Sequence, residues 1–224
     1  MSRPETVVLV HGLWMTGLEM SLLRQRLRQC GFAPRQFAYP TVRCSLADNA
    51  ARLQHFVEQI DAATVHFVAH SLGGLLLRQF FHDYSHQRPG RIVTLGTPHG
   101  GSVAALRMAQ RRIGRLLLGK SLDHGLRGDV PAWTVEREIG VIAGDLGMGM
   151  GRLMGFFADS HNDGAVALSE TRSTGMTDYR VFHTSHSGLL FSAEVAMAAC
   201  TFLREGRFSQ QGQFRYVARK RIRR

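Results

Sequence analysis

The chain has 224 residues, of which 44% are hydrophobic and 20% are charged, as in an ordinary globular α/β domain with a large core. No apolar run is long enough to span a bilayer, which excludes an integral membrane protein of the helical type. Lys and Arg total 28 against 17 Asp and Glu, so the formal net charge is +11.

The positive charge is concentrated in two parts of the chain. No acid lies between Asp83 and Asp123, and residues 215–224 carry six cations and no acid. We expect residues 1–208 to form one domain and residues 209–224 to form a flexible basic tail. As an alternative, the tail makes weak contact with an anionic surface. Specific binding of nucleic acid is not expected. The cations within the acid-free interval include Arg107, Arg111, Arg112, Arg115 and Lys120.

Strands and helices alternate along the chain, which predicts an α/β fold. The central sheet should be mostly parallel, with about six strands and with helices on both faces. Residues 119–133 and 144–157 match neither element. The predicted strands are 6–10, 33–38, 64–69, 91–95, 139–143 and 179–183, and the predicted helices are 18–29, 46–60, 72–86, 103–118 and 192–205.

One strand-to-helix junction carries the pattern of a nucleophile elbow. Residues 69–73 read AHSLG, and an apolar helical run follows directly. Such a sharp turn pushes the serine oxygen of Ser71 out above the sheet, and it needs small neighbours such as Ala69 and Gly73. The helix that starts here presents unpaired backbone N–H groups, which can stabilise an oxyanion.

Other segments occur in the order that this chemistry requires, and together they carry a resemblance. The chain resembles the small bacterial lipases of the α/β-hydrolase superfamily that lack a large lid, and also the GPI-inositol-deacylase-like hydrolases. This resemblance covers most of residues 7–208 and implies a minimal α/β-hydrolase with no large cap domain. Its motifs are HG at 11–12, AHSLG at 69–73, GTPHGGS at 96–102, NDGAV at 162–166 and HSGLL at 186–190.

The resemblance implies a role for individual residues. Ser71 corresponds to the nucleophile, His186 to the general base and Asp163 to the acid that orients the imidazole. The backbone N–H groups of Leu13 and Leu72 correspond to the oxyanion donors. Neither a metal ion nor a cofactor is implied.

Two other aspartates are alternatives to Asp163 as the acid of the triad. Asp145 directly follows the predicted strand 139–143, where this fold can place an acid. Asp159 is a weaker candidate. Asp163 is favoured because Gly164 permits the tight turn that would aim its carboxylate at the imidazole.

The choice of histidine depends on where the last strand ends. A triad histidine belongs on the loop after that strand, which favours His186. His183 is expected to lie still on the predicted strand 179–183.

Four residues are predicted to line the substrate pocket. His70 lies in the elbow, Trp14 follows the HG motif, and Met148 and Met150 belong to the Gly/Met-rich segment 144–157. Methionine and glycine let a surface adapt to an acyl chain, so this segment is predicted to form an apolar wall. A plain flexible loop is the alternative.

These residues predict a serine hydrolase that cleaves small-molecule or lipid carboxylic esters through an acyl-serine intermediate. Acyl transfer or thioester hydrolysis by the same triad is one alternative, and a catalytically inactive binding module is another. No signal-peptide pattern is present, so a cytoplasmic protein is expected. We therefore expect Cys30, Cys44 and Cys200 to be reduced thiols.

Overall fold

The computed structural model describes residues 4–148 and 161–208, and the predicted basic tail lies outside these residues. Six parallel strands form one sheet in the order β2-β1-β3-β4-β5-β6. The predicted α/β fold with a parallel six-stranded sheet is therefore confirmed. The strands are β1 (Thr6–Val10), β2 (Ala33–Phe37), β3 (Val65–His70), β4 (Ile92–Leu95), β5 (Ile139–Gly144) and β6 (Asp178–Phe182).

Helices cover both faces of this sheet. One face packs against α1, α6 and α7, and the other packs against α2 and α3, with parts of α4 and α5. Among the described residues, no helix is both long and apolar enough to cross a membrane. The helices are α1 (Ser21–Gln29), α2 (Leu46–Glu58), α3 (Leu72–Asp83), α4 (Val103–Ala109), α5 (Arg112–Leu118), α6 (Gly188–Phe191) and α7 (Ala193–Glu205).

The central strands are buried along their whole length because helices cover both faces of the sheet, and most of their residues are apolar. In β1, Val7 and Leu9 join the core beneath α1 and α7, whereas Val8 and Val10 join the core beneath α2 and α3. Side chains alternate between faces along a strand, so a strand covered on both sides needs a nearly continuous apolar run.

The single helix predicted for residues 103–118 is two helices. Arg111 has extended backbone angles, with φ −102° and ψ 141°, and this residue ends the helical path between α4 and α5. The chain then folds back so closely that a Cβ atom on Gly114 would collide with the backbone carbonyl oxygen of Met108. Gly114 permits this close packing of α5 on α4. After α5, residues 119–126 form short helical turns instead of the expected irregular segment.

The expectation of three reduced cysteines is wrong for two of them. Cys30, at the end of α1, is joined in a disulfide to Cys200 of α7, whereas Cys44 is free. The packing of α1 against α7 brings these positions together, although 170 residues separate them. Disulfides are typical of oxidising compartments, so this pair weighs against the cytoplasmic location, which stays a prediction.

Candidate active site

Ser71 lies at the carboxyl edge of the sheet, between the end of β3 and the first residue of α3. Its backbone is left-handed, with φ 52° and ψ −121°. Among the described residues other than glycine, only Trp14 also has a positive φ. Such a conformation costs on the order of 1–3 kcal/mol and persists only where the surrounding structure enforces it. The junction is therefore a strained strand-to-helix turn with a serine at its apex.

Two glycines allow this turn to pack tightly against neighbouring strands. A Cβ atom on Gly73 would lie 2.5 Å from the carbonyl oxygen of Val10 and 2.7 Å from that of His11. A Cβ atom on Gly74 would collide with the side chain of Thr97. The Thr97 hydroxyl donates a hydrogen bond to the Ser71 carbonyl oxygen at 2.9 Å, which fixes the turn to the loop after β4.

His186 is held by a buried carboxylate. Its Nδ1 atom lies 2.7 Å from Oδ2 of Asp163, whose side chain is fully buried. The second oxygen, Oδ1, accepts hydrogen bonds from the backbone N–H groups of Ala165 at 3.0 Å and Val166 at 2.8 Å. Gly164 has φ +97°, as the predicted tight turn requires. With Nδ1 donating to Asp163, the Nε2 atom of His186 is the nitrogen left to exchange a proton.

The rival aspartate pairs with a different histidine. Asp145 Oδ1 accepts a hydrogen bond from His183 Nδ1 at 2.8 Å, and the side chain of His183 is 76% exposed. β6 ends at Phe182, so His183 directly follows the strand, whereas the sequence predicted that His183 would still lie on it. Asp159 lies outside the described residues. Two Asp–His pairs therefore lie near the carboxyl edge of the sheet, one buried and one exposed.

A cavity of about 350 Å³ brings most of the predicted site residues together. Ser71 and His186 both line it, whereas neither member of the exposed pair does. Met150 lies outside the described residues, so its predicted contact is untested. The other predicted residues that line the cavity are Leu13, Trp14, His70 and Met148.

Sequence reasoning missed one wall of this cavity. Met108 of α4 and Leu118 of α5 line it, together with Leu126 from the helical turns that follow. The apolar positions of these segments were visible in the sequence, but the break between α4 and α5 was not. Only that break turns the segments toward Ser71.

The loop after β1 is shaped by a buried histidine. His11 donates from Nδ1 to the carbonyl oxygen of Gly12 at 3.0 Å and accepts at Nε2 from the backbone N–H of Tyr39 at 3.2 Å. Burial lowers the pKa of His11, which keeps the ring neutral and able to accept. Among the described residues, none accepts a hydrogen bond from the Leu13 N–H. This donor is available to a ligand.

Trp14 follows in the same loop and has the second strained backbone, with φ 59°. Its backbone N–H donates to the Thr41 hydroxyl at 3.2 Å, and its indole Nε1 donates to the carbonyl oxygen of Leu117 at 2.9 Å. The first bond attaches the loop to the segment between β2 and α2, and the second attaches it to the end of α5. The first N–H groups of a helix have no intrahelical acceptor, and no described residue accepts a hydrogen bond from the Leu72 N–H, which is therefore a second available donor.

His70 is fully buried beside His186. The two rings lie 4.6 Å apart, and Nε2 of His70 donates to the backbone carbonyl oxygen of His186 at 3.1 Å. Nδ1 of His70 is buried without a hydrogen-bond partner among the described residues. Burial, assisted by the neighbouring His186, lowers the pKa of His70 well below its usual value. His70 therefore supports His186, and its predicted substrate contact stays a prediction.

A larger cavity, of about 810 Å³, lies at the opposite edge of the sheet. Glu5, Phe32 and Thr64 line it, and each directly precedes a strand. It is therefore remote from Ser71, which follows a strand. Within residues 4–148 and 161–208, no three His, Cys, Asp or Glu side chains cluster as a metal site would require.

The amino-acid sequence was compared with models of known protein families. The profile of the alpha/beta hydrolase family matches residues 7–203, which is most of the chain. The chain belongs to the α/β-hydrolase family. No curated protein sequence matches this α/β-hydrolase.

Solved structures share the fold of this α/β-hydrolase. The mature form of the Bacillus licheniformis lipase BlEst2 is 18% identical, with a TM-score of 0.69 over 91% of this chain and 92% of that one. The monoacylglycerol lipase of Paleococcus ferrophilus is 15% identical, with a TM-score of 0.60 over 92% and 97%. A metagenomic carboxyl esterase is 19% identical, with a TM-score of 0.60 over 83% and 65%. At these identities the likeness shows the fold alone.

Proposed function

We propose that this chain is a carboxylic ester hydrolase that works through an acyl-serine intermediate. One observation carries the proposal. Ser71, on a strained turn at the start of a helix, shares a cavity with His186, whose Nδ1 lies 2.7 Å from the buried Asp163. A serine, a neighbouring base and an orienting acid are the parts that nucleophilic acyl transfer needs.

In the proposed reaction, Nε2 of His186 accepts the hydroxyl proton of Ser71 as its oxygen attacks the ester carbonyl carbon. The resulting oxyanion is stabilised by the N–H groups of Leu13 and Leu72. His186 then gives the proton to the departing alcohol, which leaves an acyl-serine. A water molecule, activated by the same imidazole, releases the acid. Asp163 holds the imidazole in the required tautomer and stabilises its charged form.

The cavity supports a substrate with an apolar acyl group. Met108, Leu118 and Met148 contribute to its walls, and its volume is about 350 Å³. Apolar walls with a few convergent polar groups are typical of small-molecule sites. We expect small and medium acyl chains to be cleaved faster than long ones.

Replacement of Ser71 by Ala tests the proposal on a series of p-nitrophenyl esters of increasing acyl length. We expect kcat/KM to fall by about three orders of magnitude or more, because the nucleophile is lost. The exposed Ser169, replaced by Ala, provides the control and should retain wild-type activity. A fluorophosphonate should label the wild type at Ser71 and should not label Ser71→Ala. Ester hydrolysis or labelling that survives Ser71→Ala would contradict the mechanism.

A further inference from the structure

Helix α5 exposes an apolar stripe to solvent. Ile113, Leu116 and Leu117 are 74%, 81% and 51% exposed, whereas Gly114 and Leu118 on the same helix are buried. Residues at positions i, i+3 and i+4 lie on one side of a helix, so the three side chains form a continuous patch. Contiguous exposed apolar groups on a water-soluble domain commonly mark an interaction surface.

Cations surround this stripe on the same segment of chain. Arg111, Arg112, Arg115 and Lys120 are all exposed. No acid occurs between Asp83 and Asp123, so no carboxylate of the segment itself offsets their charge, although Lys120 acts electrostatically on Asp48 of α2. The positive charge of the segment is complementary to an anionic partner.

The stripe adjoins the mouth of the catalytic cavity. Leu117 accepts the indole hydrogen bond of Trp14, and Leu118 lines the cavity. Trp14 and Met148 also line the cavity and are 50% and 60% exposed. A surface that covered α5 would therefore lie close to the opening through which a substrate reaches Ser71.

We propose that α5 docks this protein on the surface of an anionic phospholipid bilayer. Ile113, Leu116 and Leu117 insert among the acyl chains, while Arg112 and Arg115 contact lipid phosphates. An apolar side with basic neighbours is the chemistry of helices that lie in the membrane interface. Docking would present lipid esters to the cavity, and this consequence rests on the proposed ester hydrolysis.

The apolar stripe favours lipid over the other anionic partners. A nucleic acid would engage the cations and would leave Ile113 and Leu116 in water, since its backbone offers only phosphate and sugar there. A second copy of the chain would cover the stripe, but a two-fold contact through α5 would bring Arg112 and Arg115 close to their own copies. Like charges at such an interface are unfavourable.

Sedimentation with phospholipid vesicles tests the docking. The full chain is mixed with vesicles of phosphatidylcholine alone or of phosphatidylcholine and phosphatidylglycerol in equal parts. We expect the wild type to prefer the anionic vesicles and to lose binding as NaCl is raised. The double variant Ile113→Ser, Leu116→Ser should lower the partition coefficient by about tenfold or more. The double variant Arg112→Gln, Arg115→Gln should remove the preference for anionic vesicles.

Two controls isolate α5 from general effects. Met197→Ser removes an exposed apolar side chain from α7, and Arg28→Gln removes an exposed cation from α1, so both should bind as the wild type does. All variants keep residues 209–224, so any contribution of that basic segment is equal in every sample. Activity on a soluble short-chain ester should stay within about twofold of wild type, because the substituted side chains are exposed and do not line the cavity.

Several outcomes would overturn the docking. Equal vesicle binding by the wild type and the apolar double variant would do so, and so would the absence of any vesicle binding. A wild-type dimer that is lost in the apolar double variant would do so as well. Tighter binding to a DNA duplex than to anionic vesicles, lost only in the arginine variant, would also overturn it. Soluble-ester cleavage without vesicle binding would contradict docking alone. Vesicle binding without any ester cleavage would contradict the proposed function alone.

Discussion

The carboxylates of Asp163 and Asp145 each accept a hydrogen bond from a histidine, yet their surroundings differ. Asp163 is fully buried and also accepts hydrogen bonds from two backbone N–H groups, so its position is fixed. The partner of Asp145, His183, is mostly exposed, and water screens such a pair. A buried carboxylate can stabilise an imidazolium much more strongly than an exposed one.

Replacement of Asp163 by Asn should therefore lower kcat/KM by about three to four orders of magnitude, because the charge that stabilises the His186 imidazolium is lost. Asp145→Asn, the matched control, should stay within a few-fold of wild type. Both variants are assayed on one soluble ester at neutral pH, with thermal melts to show that they are folded. If Asp145→Asn loses ester hydrolysis and Asp163→Asn retains it, then Asp145 is the acid of the triad and the assignment of Asp163 is wrong.

At the scale of elements, α3 begins where it does because Gly73 lets the helix meet the end of β1 backbone to backbone. The carbonyl oxygens of Val10 and His11 occupy the space that a side chain at Gly73 would need. The same contact fixes the distance between the loop after β1 and Ser71. Both proposed oxyanion donors therefore depend on one helix-to-strand contact.

Gly73→Ala should push α3 away from β1, with a loss of about 1–3 kcal/mol in the free energy of unfolding. Ester hydrolysis, measured well below the melting temperature, should fall further than this lost stability explains, because Ser71 and Leu72 move with the helix. Gly100→Ala is the control, since a Cβ atom there would meet nothing closer than 3.7 Å. If Gly73→Ala behaves as Gly100→Ala does, the close contact is not what positions the turn.

Across the whole molecule, buried histidines couple stability to pH. Burial lowers the pKa of each of four histidines, and that of His99 falls to about 3, with the Arg78 charge as the smaller cause. In the unfolded chain these rings take up protons near pH 6.5, whereas in the folded chain they do not. Stability should therefore be fully present above about pH 6.5 and should decline as the pH falls below it. The four residues are His11, His66, His70 and His99.

Urea unfolding between neutral pH and about pH 5 measures this decline, to which each ring contributes up to about 1.4 kcal/mol per pH unit. Burial raises the pKa of Glu170, which opposes this decline because the folded chain then binds that proton more readily than the unfolded chain does. His99→Gln should flatten the profile, whereas the same change at the exposed His82 should leave it unaltered. A free energy of unfolding that stays constant over this interval would contradict the coupling.

The secondary-structure elements and the turn at Ser71 could be predicted from the sequence. The alternation of strands and helices follows from apolar periodicity, and the turn at Ser71 follows from the small residues and apolar runs around it. Each of these features depends on the steric and hydrophobic properties of neighbours along the chain. For this reason β1, the elbow and the start of α3 lie where the sequence places them.

Only the tertiary structure decided which distant residues meet. His186 lies beside Asp163 and His183 beside Asp145, while Cys30 forms a disulfide with Cys200. The packing of α5 on α4 likewise decides that an apolar stripe stays outside the core. Such contacts join residues that are far apart in sequence. The family resemblance implied the pairing of His186 with Asp163, but no local pattern records the pairing of His183 with Asp145 or the disulfide. The packing of helices on a shared sheet determines these distances, so the choice between candidate residues was made by the fold.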